Sequence, residues 1–478
     1  MVSRKRGIFG KKVSDIFVDE DRRKDMSVSI KEGSASTFMS TIIDTYITPF
    51  ALALGANSVH IGFLNSFSGL FSPLAQVYGS KFKVERKKLI LNTIIWQGLM
   101  IIPILLLGIL FLNGFRMGTP SILIVFYSLY VIFGALVSQS WFSMIGDIVP
   151  DNERGRYFGK RNAILGTIGV IVTLLSAFLL DYYKTGGFVL IGFSILFLLA
   201  FIARFVSYYY FRKIKDPDGN QKKTGESFIN FTKNLTKTNF GRFVIYIFLF
   251  NFSVMIASPF FSVYMLEELK LSYLWFTIIN LSQAVSIVIF MLVWGKFADK
   301  YGNKKLLTIG SVLVPILPLL WIFNQNPFYL LIPMFLGGVG WAAFSLASNN
   351  FVYDSVEKEK RSVYLAYLNI YGGIGIFLGA GLGGLVIRYL PISFMNIFLF
   401  IFLVSAVLRG LIALIMMPIL KEVRSVEKFS FSRVMPLIHF RTPGNHMSLD
   451  SLHHNMHYKK REGLGRRIGK RLMGMFVP

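Results

Sequence analysis

No cysteine occurs anywhere in the 478 residues, which excludes disulfides, cysteine-built zinc clusters, thiol catalysis, prenylation and palmitoylation. Charge is scarce. Asp, Glu, Lys and Arg make up 16% of the chain, where a soluble globular protein carries about 25%. Acids are scarcer still, 25 against 51 Lys and Arg, for a net +26. Also missing are the phosphate loop G-x4-G-K-[S/T], the H-E-x-x-H zinc pair and the G-x-S-x-G nucleophile elbow, so neither an ATPase nor an enzyme of those classes is expected. What the chain has instead is apolar surface: 54% hydrophobic residues, 47 of them Phe, with a mean hydropathy of +0.56. That excess must face something other than water, and the composition is that of a protein crossing the membrane many times.

Apolar stretches near the ~20 residues a bilayer core requires alternate with short polar breaks from Ser34 onward. Twelve are counted: 34–54, 58–80, 89–113, 120–146, 161–181, 187–211, 242–266, 272–295, 306–323, 327–353, 362–388 and 391–419. The expected fold is an all-α membrane protein with twelve transmembrane helices. Pro73, Pro103, Pro259, Pro315 and Pro318 mark places where a span can kink. Residues 1–33 are polar and hold no apolar segment of the signal-peptide kind, so no cleavable leader is expected.

With the N-terminus placed in the cytoplasm, 45 of the 51 Lys and Arg fall in the tails and inner loops, leaving Arg116, Lys184, Lys270 and Arg388 outside and Arg204 and Arg409 within spans. The positive-inside rule then puts both termini on the cytoplasmic side of the plasma membrane. The net charge is accounted for by the anionic lipid leaflet, and nucleic acid is not needed as a partner.

The chain repeats itself. A shift of 207 residues aligns 147–166 with 354–373, with six identities in 20 positions and the shared pattern D-x6-R-x2-Y-x4-N. Asp147 and Arg154 recur as Asp354 and Arg361, each time at an inner break and six spans apart. Two related halves follow: an N-terminal six-helix bundle at 34–211 and a C-terminal one at 242–419 form pseudo-symmetric bundles. A cytoplasmic tail (1–33), a central loop (212–241) and a basic C-terminal tail (420–478) flank and join them. In the central loop Phe228, Phe231 and Leu235 have helical spacing. They read either as a short interfacial helix or as a connector with scattered aromatics.

Gly295-Lys-Phe-Ala-Asp299-Lys300-Tyr-Gly302-Asn-Lys304-Lys305 resembles the loop signature G-x3-D-[RK]-x-G-x-[RK]-[RK] of the major facilitator superfamily. The stretch Gly146-Asp147 through Arg154-Gly155-Arg156 is similar to the junction between that family's fourth and fifth spans. The likeness covers roughly 34–419. The first-half loop, Gly79 to Lys88, departs from it: it is one residue shorter, lacks the second glycine and carries Lys83 about where the carboxylate belongs, with Glu85 nearby. The Gly-Pro signature of drug/proton antiporters is absent from span 5. The resemblance implies a secondary active transporter working by alternating access, with its substrate between the bundles. It also implies a cytoplasmic gate of salt bridges among Asp147, Arg154, Asp299, Lys300, Asp354 and Arg361. Capping of helix ends is the plainer role for the same residues.

Asp44 stands alone among the acids in lying mid-span, ten residues from either end. A carboxylate there must face a cavity, bind a cation or carry a proton, which points to coupling with H+ or Na+, or to a cationic substrate. A helix-packing Asp hydrogen-bonded to its neighbours is the alternative. The repeat puts Asn251 opposite it in span 7, and Gln283 adds an amide in span 8. Gly375, Gly379 and Gly383 give one smooth helix face for close packing. Arg204 and Arg409 read as arginines bonding neighbouring carbonyls, or as anion-binding groups. His453, His454 and His457 in the tail have no evident second shell, so no metal and no cofactor are expected. The partners expected are the lipid bilayer, a small-molecule substrate and a coupling ion, with the monomer as the default. Two other functions fit the same sequence: a non-transporting receptor or scaffold signalling through its tail, and a carrier of lipids or amphiphiles.

Overall fold

The computed structural model describes residues 13–79, 86–150, 154–215, 227–357 and 360–423. The first-half loop around Lys83, much of the central loop and the histidine-bearing tail lie outside them. Among the described residues every regular element is helical. In chain order these are α1 (Val13–Ala53), α2 (Ser58–Gly79), α3 (Arg86–Leu112), α4 (Thr119–Ile148), α5 (Arg154–Thr185), α6 (Val189–Arg212) and α7 (Phe228–Lys233). Then come α8 (Asn239–Met255), α9 (Phe260–Val263) with a π-helical turn at Tyr264–Glu268, α10 (Tyr273–Tyr301), α11 (Asn303–Phe323), α12 (Pro327–Ser355), α13 (Arg361–Tyr389) and α14 (Ile397–Ile419).

Among the described residues ten helices are long and apolar enough to cross a bilayer, α8 through the π-helical turn counting as one. Neither α1 nor α2 meets that measure, because the apolar second half of α1 is diluted by Asp44, Pro49 and several serines and threonines, and α2 holds His60, Asn65, Gln76 and several serines. Short polar side chains start several of the helices. Ser272 Oγ accepts from Trp275 N at 3.2 Å, and Asn326 and Asn396 accept from Phe328 N and Phe398 N at 2.9 Å, each satisfying an N–H that the first helical turn leaves open. Pro259 interrupts the crossing that α8 and α9 share. Without an N–H it cannot continue α8, and the chain turns through 256–259 before α9 resumes.

Two expectations change. The first helix begins at Val13 rather than near Ser34, because the segment before Ser34 is packed into the protein: Asp25, Ser29 and Glu32 are buried. In the central loop, Phe228 and Phe231 do sit on a short helix, but its aromatic face lies against the protein. Phe231 stacks with Tyr364, Tyr367 and Phe240, and Phe228 with Tyr367 and Tyr371, so α7 is seated on α13.

In the first half α1 packs on α5 and α6, α3 on α4 and α6, and α2 on α4. In the second, α12 packs on α10 and α11, and α8 on α13 and α14. Two long pairings run between the halves, α2 with α13 and α5 with α10. Apolar side chains such as Leu175, Val288, Leu292 and Leu414 are left fully outward, which suits lipid and explains why hydropathy shows so little periodicity in the spans. The close approaches depend on glycine. A Cβ on Gly375 or Gly379 would collide with the α8 backbone at Phe248 and Phe252, and one on Gly383 with the Ile256 carbonyl just beyond it. On another face of α13, Gly373 meets Gly69 O and Gly384 meets Ser58 O of α2.

Candidate functional site

A cavity of about 720 Å³ lies between α1, α2 and α4 on one side and α8, α12 and α13 on the other. Its wall is predominantly apolar, with Tyr127, Trp341 and Phe344 as flat surfaces, and uncharged hydrogen-bonding side chains are set into it (Asn65, Ser68, Ser72 and Gln76 from α2, Ser345, Ser348 and Asn349 from α12). Among the described residues Asp44 is the one charged side chain lining it. The carboxylate sits at mid-helix on α1 yet is exposed to the cavity, and no described residue donates a hydrogen bond to it. Asn251 faces the same space from α8, its Nδ2 donating to Gly372 O at 3.4 Å. The two positions related by the 207-residue repeat therefore look at each other across one cavity. Gln283 is not in the lining. It packs against Gly337 and Gly338 of α12, because its face of α10 turns toward α12.

The cavity is closed at the end away from the basic loops. There Asp181 of α5 accepts hydrogen bonds from Tyr273 N at 2.8 Å and Leu274 N at 2.9 Å, capping α10 from the other half. Lys184 Nζ donates to Leu271 O at 3.4 Å and stands over the Tyr273 ring. Deeper in, the buried Tyr46 hydroxyl bonds Thr173 O of α5 at 2.7 Å and Thr277 Oγ1 of α10 at 3.0 Å. Beside these contacts, Gly62 and Gly384 bring the backbones of α2 and α13 together. Sequence reasoning missed Asp181, since it reads as one more acid at a span end and its partners are backbone groups.

At the basic end Asp147, Asp354 and Arg361 each have partners at neighbouring helix ends. Asp147 pairs with Arg86, the first residue of α3, at 2.6 Å. Asp354 accepts from Asn303 Nδ2, the first residue of α11, at 2.5 Å. Arg361 turns back to the end of α12, donating from Nη2 to Tyr353 O at 2.8 Å and from Nε to Val356 O at 3.1 Å. Arg154 begins α5, and its side chain lies outside the described residues. Asp299 and Lys300 are exposed on the last turn of α10, with Lys300 Nζ 5.2 Å from the Tyr301 ring. Gly302 adopts φ 94° in the tight turn from α10 to α11, a conformation that favours glycine. These contacts tie helix ends together within each half. No group of three or more His, Asp or Glu among the described residues is placed to hold a metal.

Comparison with known proteins agrees with the architecture. The multi-drug resistance efflux pump PmrA homolog of Lactococcus lactis subsp. lactis (strain IL1403) is 32% identical over 96 residues, 20% of this chain and 24% of that protein. Vacuolar basic amino acid transporter 1 of Saccharomyces cerevisiae is 32% identical over 99 residues, 21% of this chain and 18% of that protein. The chain thus spans about a quarter or less of the curated relatives it matches. Among solved structures, the nucleoside transporter NupG superposes with a TM-score of 0.61 at 14% identity, over 84% of this chain and 99% of that one. A bacterial homologue of the iron transporter ferroportin in its inward-facing state gives 0.62 at 13% identity, over 82% of this chain and 98% of that one. At such identities these structures speak for the fold alone. The Major Facilitator Superfamily profile matches residues 33–289 and 243–447, and on that match, together with the helical membrane architecture, the chain belongs to the Major Facilitator Superfamily.

Proposed function

We propose that this protein is a secondary active transporter that moves a small solute by alternating access, coupled to H+ or Na+ through Asp44. The observation that carries the reading is an unpartnered mid-helix carboxylate facing a 720 Å³ cavity between the halves. An ionised group with no partner at that depth is costly, and a cation or a proton taken from the cavity offsets the cost. The uncharged remainder of the wall, with Asn251 opposite, is suited to hold the body of a solute by hydrogen bonds and stacking.

In this reading α1 and α2 join the ten apolar crossings to make twelve, arranged as two six-helix bundles with both termini in the cytoplasm of a cell membrane. The cavity then faces the cytoplasm, and Asp181, Lys184 and Tyr46 form the closed outer seal. Gating at the basic end runs through helix-end ties. Asp147 and Asp354 set the angle at which α3 and α11 leave their preceding loops, while Asp299, Lys300, Arg154 and Arg361 are available to pair across the halves when that end shuts. Gln283 serves α10–α12 packing rather than the solute.

Flux in proteoliposomes tests this. A panel of sugars, amino acids, organic acids and nucleosides is offered under an imposed pH or Na+ gradient. The expected result is gradient-driven accumulation of at least one solute, with Asp44→Asn retaining exchange but losing accumulation. Equal accumulation by wild type and Asp44→Asn, with the same ion dependence, removes the coupling role.

A further inference from the structure

Behind the central cavity lies a second one of about 580 Å³, lined by residues of α1 through α6. Asp44, Ser72 and Gln76 line both, so the two spaces adjoin. The charged groups facing the second cavity are Glu32, Arg161 and Arg204, with Asp44 at the far end. Asp44 is twelve residues from Glu32 along α1, or about 18 Å at the rise of an α-helix. At the Glu32 end, two guanidinium charges thus meet one carboxylate.

That carboxylate is already engaged. Ser207 Oγ donates to Glu32 Oε1 at 2.9 Å, and Arg204 Nη1 donates to Ser207 Oγ at 3.4 Å and to Ser36 Oγ at 3.2 Å. Arg204 is 1% exposed, and its Nε has no acceptor. Arg161 is less satisfied still. Its guanidinium stands 4.2 Å from the Trp141 ring centroid, its Nε is buried without an acceptor, and no described residue accepts a hydrogen bond from it. The pocket makes room for these donors. A Cβ on Gly33 would lie 2.6 Å from Arg161 Nη2, and one on Gly134 would lie 2.5 Å from Gln97 Nε2. Arg409, at nearly the corresponding place in the second half, is different. It is 2% exposed, donates to Val254 O at 3.1 Å and Val314 O at 3.4 Å, and has no acid beside it. Arg409, whose Nε is likewise buried without an acceptor, donates its other nitrogens to helix carbonyls, whereas Arg161 and Arg204 line a cavity.

Two guanidinium groups, one buried and one half-buried, share the single carboxylate of Glu32. The uncompensated positive charge is costly, and planar guanidinium forks match carboxylate and phosphate oxygens. We infer that this pocket is an anion subsite, which takes a carboxylate or phosphate group through Arg161, with Arg204 braced behind it by Ser36 and Ser207. It deepens the transporter reading, on which it rests for its role, by naming a substrate class: small solutes carrying an anionic end, with the hydrogen-bonding body in the amide-lined central cavity.

Binding is read without flux. The purified full chain in phosphatidylcholine nanodiscs is titrated with inorganic phosphate or succinate at constant ionic strength, and its unfolding midpoint is followed. Wild type is expected to show a saturable rise with at least one of these anions over chloride, with affinity about tenfold weaker in Arg161→Gln. Arg161→Lys is expected to recover part of the response, because the charge returns without the fork. Gly33→Ala should weaken the response with no charge removed. The absence of a response to either anion, or an equal response in Arg161→Gln, overturns the subsite. In nanodiscs containing phosphatidylglycerol the response should persist. If that lipid itself stabilises the protein through Arg161 and abolishes the phosphate response, the occupant is a lipid headgroup and the substrate class is wrong. Anion binding with no flux of any solute would instead count against the transporter reading and leave the subsite standing.

Discussion

Arg86 and Asp147, at the start of α3 and the end of α4, form an ion pair of 2.6 Å. Their counterparts in the second half, Asn303 and Asp354, start α11 and end α12, and hold the same relationship with an amide in place of the guanidinium. The repeat thus extends from sequence into contacts: in each half the aspartate of the D-x6-R pattern receives the first residue of the helix that follows the signature loop.

A double-mutant cycle on Arg86→Gln and Asp147→Asn should give a coupling of about 1 kcal/mol in unfolding free energy, a value suited to a half-buried pair. Thermal or denaturant unfolding in detergent measures it. Strict additivity of the two substitutions would mean that the contact contributes nothing to stability.

Asp181→Ala should loosen the closed end. It removes two charge-assisted bonds to Tyr273 N and Leu274 N, together worth about 1.5–3 kcal/mol, or roughly tenfold or more in a two-state population. The chain has no cysteine, so Asn65→Cys provides a single label site in the cavity. Impermeant thiol reagent applied from the Asp181 side should react faster in the Asp181→Ala background, and unchanged labelling would argue against the seal.

For Asp44→Asn the fold should survive. The carboxylate faces the cavity without a partner, so the unfolding free energy should move by no more than about 0.5 kcal/mol, while ion-driven accumulation is lost. A large drop in stability would favour the packing role for Asp44 over the coupling one.

Gly379→Leu should destabilise by about 1–3 kcal/mol or prevent folding, since α13 lies on the α8 backbone at that point. Gly410→Ala on α14, where nothing approaches within 4 Å, should be neutral or stabilising by up to about 1 kcal/mol. Expression level and unfolding midpoint of the two variants give the comparison.

Asp44 and Asn251 were legible because a lone mid-span acid and an internal repeat are both visible in the sequence. Glu32 was not. It was read as part of a polar tail, yet Asp25, Ser29, Glu32, Ser36, Ser40 and Asp44 recur every three or four residues as one continuous polar stripe of α1. Average hydropathy hides such a stripe, because the opposite face of the helix carries lysines before Ser34 and apolar residues after it. For Asp354 and Arg361 the resemblance implies a gate of salt bridges, with helix capping as the plainer role. The turn between them leaves the carbonyls at the end of α12 unsatisfied, and Arg361 fills that need locally. Gln283 shows the limit of choosing amides by depth, since depth does not say which way a helix face turns.

The meeting of α2 with α13 near Gly62, Ala380 and Gly384 has a consequence for how the pathway would wet. Constrictions made of leucine or phenylalanine rings can part and still expel water, leaving a dry barrier after the helices have separated. Here the touching surfaces are largely main chain, and the carbonyls of Ser58 and Ala380 lie at the contact. When the two helices move apart, peptide oxygens are what the gap uncovers, and they offer hydrogen bonds to the first water molecules that enter. Hydration would then follow separation directly, with little lag between mechanical opening and a continuous water path.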